Sequence, residues 1–274
     1  MDITKLLYLE HFGLTECQAK VLAIENGDDK NFVILDQTCF YPQGGGQPYD
    51  KGVIERFDKL GASRPNERFI VEEVRFVDGV VKHIGHFAPS ELVESRRGEL
   101  VESKARNFKK GEEVQCRVDK PRRELNSRLH SAGHLVDMAL SDLKPDWIPG
   151  KGYHFPDGPY VEYRGTLDLA ENEKLKIAIE KRGNQLIREG RTTTIVFTDK
   201  KEMAKLCRFV PDNIPLNKPA RVVIFGNFGV PCGGTHVSNL SKLKGITIRK
   251  IKTEVDSTRS PQGQNVRVGY DVSR

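Results

Sequence analysis

Four potential metal ligands lie in two short motifs far apart in the chain, and any fold of this sequence has to account for them together. His130 and His134 sit four positions apart in Arg-Leu-His-Ser-Ala-Gly-His, residues 128–134, and Cys232 and His236 sit four apart in Pro-Cys-Gly-Gly-Thr-His, residues 231–236. In a helix the i, i+4 spacing puts two side chains on one face, roughly 5–6 Å apart at Cβ, and two imidazoles held that way can share an ion. The surroundings of the first pair predict such a helix. Pro121 suits a first turn, where its missing N–H is not needed, and Leu125, Leu129, Val136 and Leu140 form an apolar stripe. Gly233 and Gly234 in the second pair argue for a loop or a helix start. One cysteine and three histidines suit a tetrahedral zinc site. However, 98 positions separate His134 from Cys232, outside zinc-finger spacing, so only tertiary folding can join the halves. From these residues alone two alternatives stand beside a metal site: a nucleophilic Cys232, or a merely buried Cys232 near unrelated histidines.

A third cluster, residues 38–52, holds Phe40-Tyr-Pro-Gln-Gly-Gly-Gly-Gln47. The glycines Gly44, Gly45 and Gly46 permit positive φ and close backbone approach, so this loop, with Gln47, can contact phosphate or a partner domain through its N–H groups. The alternative is a flexible hairpin turn.

The first third of the chain reads as strands: Ala19–Ile24, Phe32–Leu35, Gly52–Phe57 and Phe69–Phe76, separated by turn signals at 26–28, 61–66 and Asp78-Gly79. Short strands at this spacing predict a small barrel. Residues 88–113 are charged and poor in large apolar groups, and read as a connecting segment, partly helical. A strand over Glu113–Val118 then leads into the histidine-bearing helix. Lys144–Pro159 is rich in Pro and Gly and reads as irregular. Next come a strand over Tyr160–Asp168, a helix over Asn172–Glu189 ending at Gly190, a strand over Thr192–Phe197 and a short helix over Lys200–Cys207 capped by Asp199. A strand over Ala220–Phe225, a loop over Gly226–His236, and closing strands over Ile246–Ile251 and Asn265–Tyr270 around a polar loop, Asp256–Gln264, complete the chain. The fold class expected is α+β: a small N-terminal β-barrel with its Gly-rich loop and connecting segment over residues 1–112, followed by a larger α+β domain over residues 113–274.

Composition narrows the setting. Lys and Arg exceed Asp and Glu, 44 to 38, for a net charge of +6, which suits a polyanionic partner without proving one. No apolar run approaches the roughly 20 residues of a membrane helix, and the N-terminus lacks the pattern of a targeting peptide, so no membrane partner and a cytoplasmic location are expected. The cysteines, Cys17, Cys39, Cys116, Cys207 and Cys232, are odd in number and without a CxxC pair, as in a reducing compartment.

Taken in order, Phe40-Tyr-Pro-Gln-Gly-Gly-Gly-Gln47, His130-Ser-Ala-Gly-His134 and Cys232-Gly-Gly-Thr-His236 resemble the editing domain of alanyl-tRNA synthetase. They resemble still more its free-standing relatives, the AlaX-type trans-editing proteins. The likeness runs over nearly the whole chain, and the lack of an aminoacylation domain points to the free-standing form. The resemblance implies hydrolysis of mischarged tRNA for alanine, chiefly the seryl and also the glycyl form. It implies Zn2+ held by His130, His134, Cys232 and, in some descriptions of the family, His236. If all four side chains bind, the site is closed, so by ligand count one of them, His236, would have to give way to water or substrate. Many relatives carry Thr just before the second histidine, where its hydroxyl helps to recognise the wrong amino acid; this chain has Gly133. Ser131 and Thr235 therefore become the candidate catalytic or selecting hydroxyls, with Thr166 behind them. Phosphates of the tRNA would meet Arg122, Arg123 and Arg128 beside the first motif, Lys151, and Lys242 and Lys244 after the second. Trp147, Tyr153 and Phe155 either stack on the terminal adenine or belong to the core. The histidines outside the motifs, His11, His83, His86 and His154, are read as structural or surface residues. Rival readings are a non-catalytic, zinc-stabilised tRNA-binding module and a deacylase for another aminoacyl-tRNA, such as threonyl.

Overall fold

The structure is a computed structural model that describes residues 3–26, 30–57, 63–88, 92–94, 100–102, 107–212, 214, 220–254 and 264–273. The turns expected around 27–28 and 61–62, and nearly all of the loop expected over 256–264, lie outside the described residues. By internal packing the chain divides into two units. One comprises Met1–Gln43 and Tyr49–Arg123; the other comprises Gly44–Pro48 and Glu124–Arg274.

The first unit is built on a closed barrel of six strands: β1 (Glu16–Asn26), β2 (Asn31–Leu35), β3 (Gly52–Phe57), β4 (Ser63–Val77), β5 (Val80–Phe87) and β6 (Glu113–Val118). Their order is β6-β1-β2-β5-β4-β3, and β6 closes the ring by pairing Cys116 with Cys17 on one side and with Ile54 on the other. Sequence reading gave β6 to the second domain because it precedes the long helix; its hydrogen bonds make it a barrel strand. Alternation turns Val21, Val33, Ile54, Phe69 and Val114 into a common core. The β4–β5 hairpin turns at Asp78 (φ 50°) and Gly79 (φ 85°), the two positive φ values that a two-residue type I′ turn requires. The connecting segment, expected to be partly helical, lies partly outside the described residues; those described include a short antiparallel pair, Leu92–Glu94 with Leu100–Glu102. His83 is buried, bonded to Thr38 Oγ1 (2.8 Å) and the Val33 carbonyl (3.0 Å), and burial holds its pKa down to about 4.

Helix α1 (Lys120–Leu143) starts in this unit. The Asp119 carboxylate accepts from the Arg122 N–H at 3.1 Å, capping the first turn. Arg123 in that turn is 2% exposed. Its guanidinium is bidentate with Asp50, and it also donates to the carbonyls of Phe12, Leu14 and Cys39. This corrects its assignment as a phosphate-binding residue: every N–H is committed inside the unit.

The second unit holds a four-stranded sheet and a three-stranded sheet around one core. The first contains β7 (Ile148–Tyr153), β8 (Tyr160–Gly165), β12 (Ile246–Glu254) and β13 (Gln264–Val272), in the order β7-β8-β13-β12. The second is β9 (Thr193–Thr198), β10 (Ala220–Phe225) and β11 (Phe228–Pro231). Helix α2 (Asn172–Glu189) ends at Gly190 in the left-handed region (φ 65°), and α3 (Lys200–Leu206) is capped by Asp199, whose side chain accepts from Glu202 N. Leu135 and Leu140 of α1, Ile179 and Leu186 of α2, and Val266 and Val268 of β13 share the core. Gly183 lets α2 approach closely, since a Cβ there would lie 2.9 Å from Ile246. Leu125, expected in the buried stripe of α1, is 38% exposed.

Two stretches read as irregular contain strands. β7 carries Pro149, Gly150 and Gly152, residues that mask a strand in sequence. It survives because it is an edge strand with a bulge between Pro149 and Gly152, the setting in which Pro and Gly are tolerated. β11 folds back on β10 around Gly226 (φ 68°). No described helix is long and apolar enough to cross a membrane.

Replacing Asp50 by Ala leaves the Arg123 guanidinium buried without its counter-ion, so denaturant unfolding should show a loss of about 3–5 kcal/mol. A loss below about 1 kcal/mol would contradict the buried pairing.

Candidate metal centre

α1 presents His130 and His134 on one face, and the loop after β11 presents Cys232 and His236; their ligand atoms all lie within 4.8 Å of one another. Cys232 Sγ is 3.4 Å from His130 Nε2 and 3.3 Å from His236 Nε2. Folding thus joins the two halves, as the donor chemistry required. Gly234 makes the approach possible: a Cβ there would stand 2.1 Å from the His130 ring.

Each histidine has its outer nitrogen engaged. His130 Nδ1 lies 2.8 Å from Gln47 Oε1 and His134 Nδ1 lies 3.0 Å from Asp137 Oδ2. Both oxygens only accept, so both Nδ1 atoms carry a proton; Nε2 of the neutral His130 ring is left with a lone pair, and Nε2 of His134 offers one once that ring gives up its second proton. His236 Nδ1 is 3.3 Å from Ser131 Oγ. The partners are anchored in turn. Gln47 Oε1 also accepts from Thr235 N at 3.0 Å, and Gln47 Nε2 donates to Thr235 Oγ1 at 2.8 Å. Asp137 accepts from Tyr163 Oη at 2.5 Å. Such outer partners fix the tautomer and orientation of metal-binding imidazoles.

The electrostatics suit a cation. Burial pushes His130 and His236 well below the ordinary histidine range, so both rings are neutral. Burial also presses on His134, but hydrogen bonding to Asp137 and the neighbouring Cys232 sulfur outweigh it and raise its pKa to about 10. Burial would raise the Cys232 thiol; His134 reverses this and lowers it. His134 Nε2 is buried and turned toward the Cys232 sulfur. Loss of its proton leaves a buried nitrogen lone pair beside that sulfur, which is costly, and a cation at the convergence of the donors would satisfy it. The residues therefore fit a metal ion, and the mix of one sulfur and three imidazoles fits zinc.

A cavity of about 430 Å³ opens beside the cluster, lined by His130, His134, Cys232, His154, Lys151 and Glu162 among others. A second, of about 170 Å³, shares His134 and Asp137 with it and includes Trp147, Tyr163 and Arg208.

Residues 10–122 match the family of tRNA synthetases class II (A). An AlaX-M alanyl-tRNA editing protein from Methanosarcina barkeri is 29% identical over 265 residues, covering 94% of this chain and 97% of the relative. The chain is a homologue of the AlaX-type alanyl-tRNA editing proteins. AlaX-L from Pyrococcus horikoshii is 29% identical, and the alignment covers 54% of its length. The alanine–tRNA ligase of Methanothrix thermoacetophila is 30% identical across 91% of this chain, but the chain spans only 24% of that enzyme.

Against that background the other site residues sort by position. Ser131 and Thr235 are fully buried and turned inward: Ser131 Oγ accepts from Val237 N at 3.0 Å, and Thr235 Oγ1 is held by Gln47 and by Ser127 Oγ at 2.8 Å. Neither lines the large cavity; Ser131 Oγ faces His236 Nδ1 and Thr235 Oγ1 faces the Gln47 amide. The Gly-rich loop forms a tight turn, Gly44 N to Gln47 O and Gln47 N to Gly44 O, with positive φ at Gly45 and Gly46. Its contribution is the side chain of Gln47, where sequence reading expected backbone N–H groups. Arg128 donates to the carbonyls of Leu243 and Ser273, and Arg122 to that of Tyr49 at 3.0 Å. Lys151, Lys242 and Lys244 are exposed. Trp147 is a core residue, 2% exposed, while Tyr153 stacks on Phe155 and Tyr160 at 4.5 and 5.3 Å. Asp137, Tyr163, His154 and Tyr270 were missed as site residues. Only Asp137, three residues beyond His134 on the same helix face, left a sequence signal.

Purified protein should retain about one metal ion per chain by elemental analysis, and His134→Ala should lose it. The ligand forms are thiolate and neutral imidazole, and His134 holds its extra proton up to about pH 10, so uptake near pH 7.5 should release protons and affinity should fall as pH is lowered; calorimetry in buffers of different ionisation enthalpy reads this, and zero release would refute the assignment. Gln47→Ala should weaken metal binding about 10–100-fold by freeing the His130 ring.

Proposed function

We propose that the protein is a trans-editing aminoacyl-tRNA hydrolase that deacylates mischarged tRNA for alanine, chiefly seryl and also glycyl, at a zinc site held by His130, His134 and Cys232, with His236 as the exchangeable position. The observation that carries this is the convergence of four donors beside an open cavity in a chain whose full-length relatives are named alanyl-tRNA editing proteins. His236 is the exchangeable member because its outer contact is the longest, 3.3 Å against 2.8 and 3.0 Å. The setting that goes with this activity is the cytoplasm.

The reaction adds water across the ester joining the amino acid to a ribose hydroxyl. The acyl C–O bond breaks, and free amino acid and tRNA leave. Bound zinc would supply Lewis acidity toward the carbonyl and a more acidic water. The chain's own groups do the rest. Gln47 and Asp137 hold the His130 and His134 rings in their acceptor tautomer. Ser131 and Thr235 act behind them as positioning residues. Gly45, Gly150, Gly152 and Gly233 on the cavity wall let the backbone approach a small aminoacyl group closely. Lys151, exposed at the cavity, meets the terminal phosphate, and Lys242 and Lys244 extend the contact along the tRNA. Such contacts position the nucleic acid and weaken with salt. One observation favours the non-catalytic alternative: four converging protein donors are the pattern of closed, structural zinc sites.

Hydrolysis of seryl-, glycyl-, threonyl- and alanyl-tRNA, with and without chelator, tests the proposal. Rapid, chelator-sensitive loss of the seryl ester with the alanyl ester spared is expected. Equal rates on seryl and alanyl esters would refute selectivity. Metal-loaded protein that hydrolyses none of them would identify the binding module.

A further inference from the structure

His154 is used by no part of the metal set, yet it is built into the same cavity. It is 3% exposed, and its ring stacks on that of His130 at 4.4 Å and 21°. Its backbone N–H donates to the Gly46 carbonyl at 2.8 Å. Its Nδ1 lies 2.6 Å from Tyr270 Oη, and that hydroxyl donates its single proton to the Leu129 carbonyl at 2.9 Å. Tyr270 can therefore only accept from His154, so Nδ1 carries the ring proton and Nε2 is left as an acceptor. Among the described residues nothing donates to Nε2, and His154 lines the cavity with Cys232 and Lys151.

Three glycines from three segments make the slot for this ring. A Cβ on Gly133 would stand 2.4 Å from His154 Cε1, and one on Gly152 2.4 Å from Nε2. One on Gly46 would lie 3.2 Å from Cδ2 and 2.2 Å from the Gly152 carbonyl oxygen. Gly133 and His154 are thus one steric choice: any side chain at 133 expels the imidazole. The cavity gains a rigid acceptor stacked on a metal ligand and fixed by Tyr270.

We propose that His154 is the specificity-determining residue of this site, its Nε2 accepting a hydrogen bond from the side-chain hydroxyl of the aminoacyl group. The inference rests on the deacylase reading above. A seryl ester supplies the donor. An alanyl ester presents a methyl group and leaves Nε2 desolvated and unpaired, the situation in which a hydrogen-bonding site discriminates most strongly. The glycyl ester lacks the donor too and is the poorer substrate.

The test compares kcat/KM on seryl- and alanyl-tRNA for the metal-loaded wild type, His154→Phe and His154→Gln, with metal content measured on each. Phe keeps the stacked ring but has no acceptor. It should lower the seryl value about 10–100-fold, the size of one lost hydrogen bond to a substrate, while the alanyl value rises, since no acceptor is left unpaired, and metal content stays unchanged; Gln should recover part of the seryl loss. A parallel measurement needs no variant to fold for its readout. In ¹⁵N-histidine spectra of the wild type, the amide-linked 3′-serylamino-3′-deoxyadenosine should move the His154 Nε2 resonance upfield, and the alanyl analogue should not. An unchanged seryl-to-alanyl ratio in His154→Phe, equal losses on both esters, or equal shifts with both analogues would overturn the inference and leave the deacylase reading standing. A wild type that hydrolyses no aminoacyl ester would overturn both.

Discussion

Burying three imidazoles and a thiol in one place is the constraint the second unit is arranged around. An imidazole has two nitrogens, and in a low-dielectric interior neither can be left without a partner at small cost. The three Nε2 atoms can point at one another only if every Nδ1 is engaged elsewhere. Gln47, Asp137 and Ser131 meet that need, and each dictates local structure. Asp137 and Ser131 serve only if α1 is helical through residues 130–137. Gln47 serves only if the turn at Gly45–Gly46 delivers it, and Thr235 then fixes its amide. Gly234 is needed because any Cβ there would strike the His130 ring.

The same logic operates in the first unit with a different ion pair. Arg123 and Asp50 are both almost fully buried, and the guanidinium is affordable there because three backbone carbonyls complete its hydrogen bonds. The chain leaves this unit after Gln43 and returns at Tyr49, and the five residues between contribute Gln47 to the second unit. The glycine-rich sequence thus delivers the buried Gln47 amide, and its Gly46 carbonyl accepts from the His154 N–H at 2.8 Å.

Much of the fold was legible in sequence. The helices over 120–143 and 172–189 follow from apolar periodicity and from Gly190 as terminator, and the Asp78-Gly79 hairpin follows from turn chemistry. β7 was not legible, because Pro149, Gly150 and Gly152 argue against a strand until its edge position is known. β6 was visible as a strand but not as the barrel's closing one, since register with β1 and β3 is a long-range fact. Arg123 and Arg122 read alike as basic neighbours of the first motif; only burial separates a core anchor from a half-exposed side chain.

By itself the sequence determined which atoms could bind a metal, because donor chemistry belongs to residue type and the i, i+4 spacing to helix geometry. It also flagged Gly133 as a departure from the resembled pattern. Tertiary structure decided what fills that space. The His154 ring is brought there by β7, an edge strand hidden by its own glycines, and is held by Tyr270 from β13, 116 positions away. Close approach between segments so distant is set by packing, and packing leaves no periodic trace in the residues that make room for it.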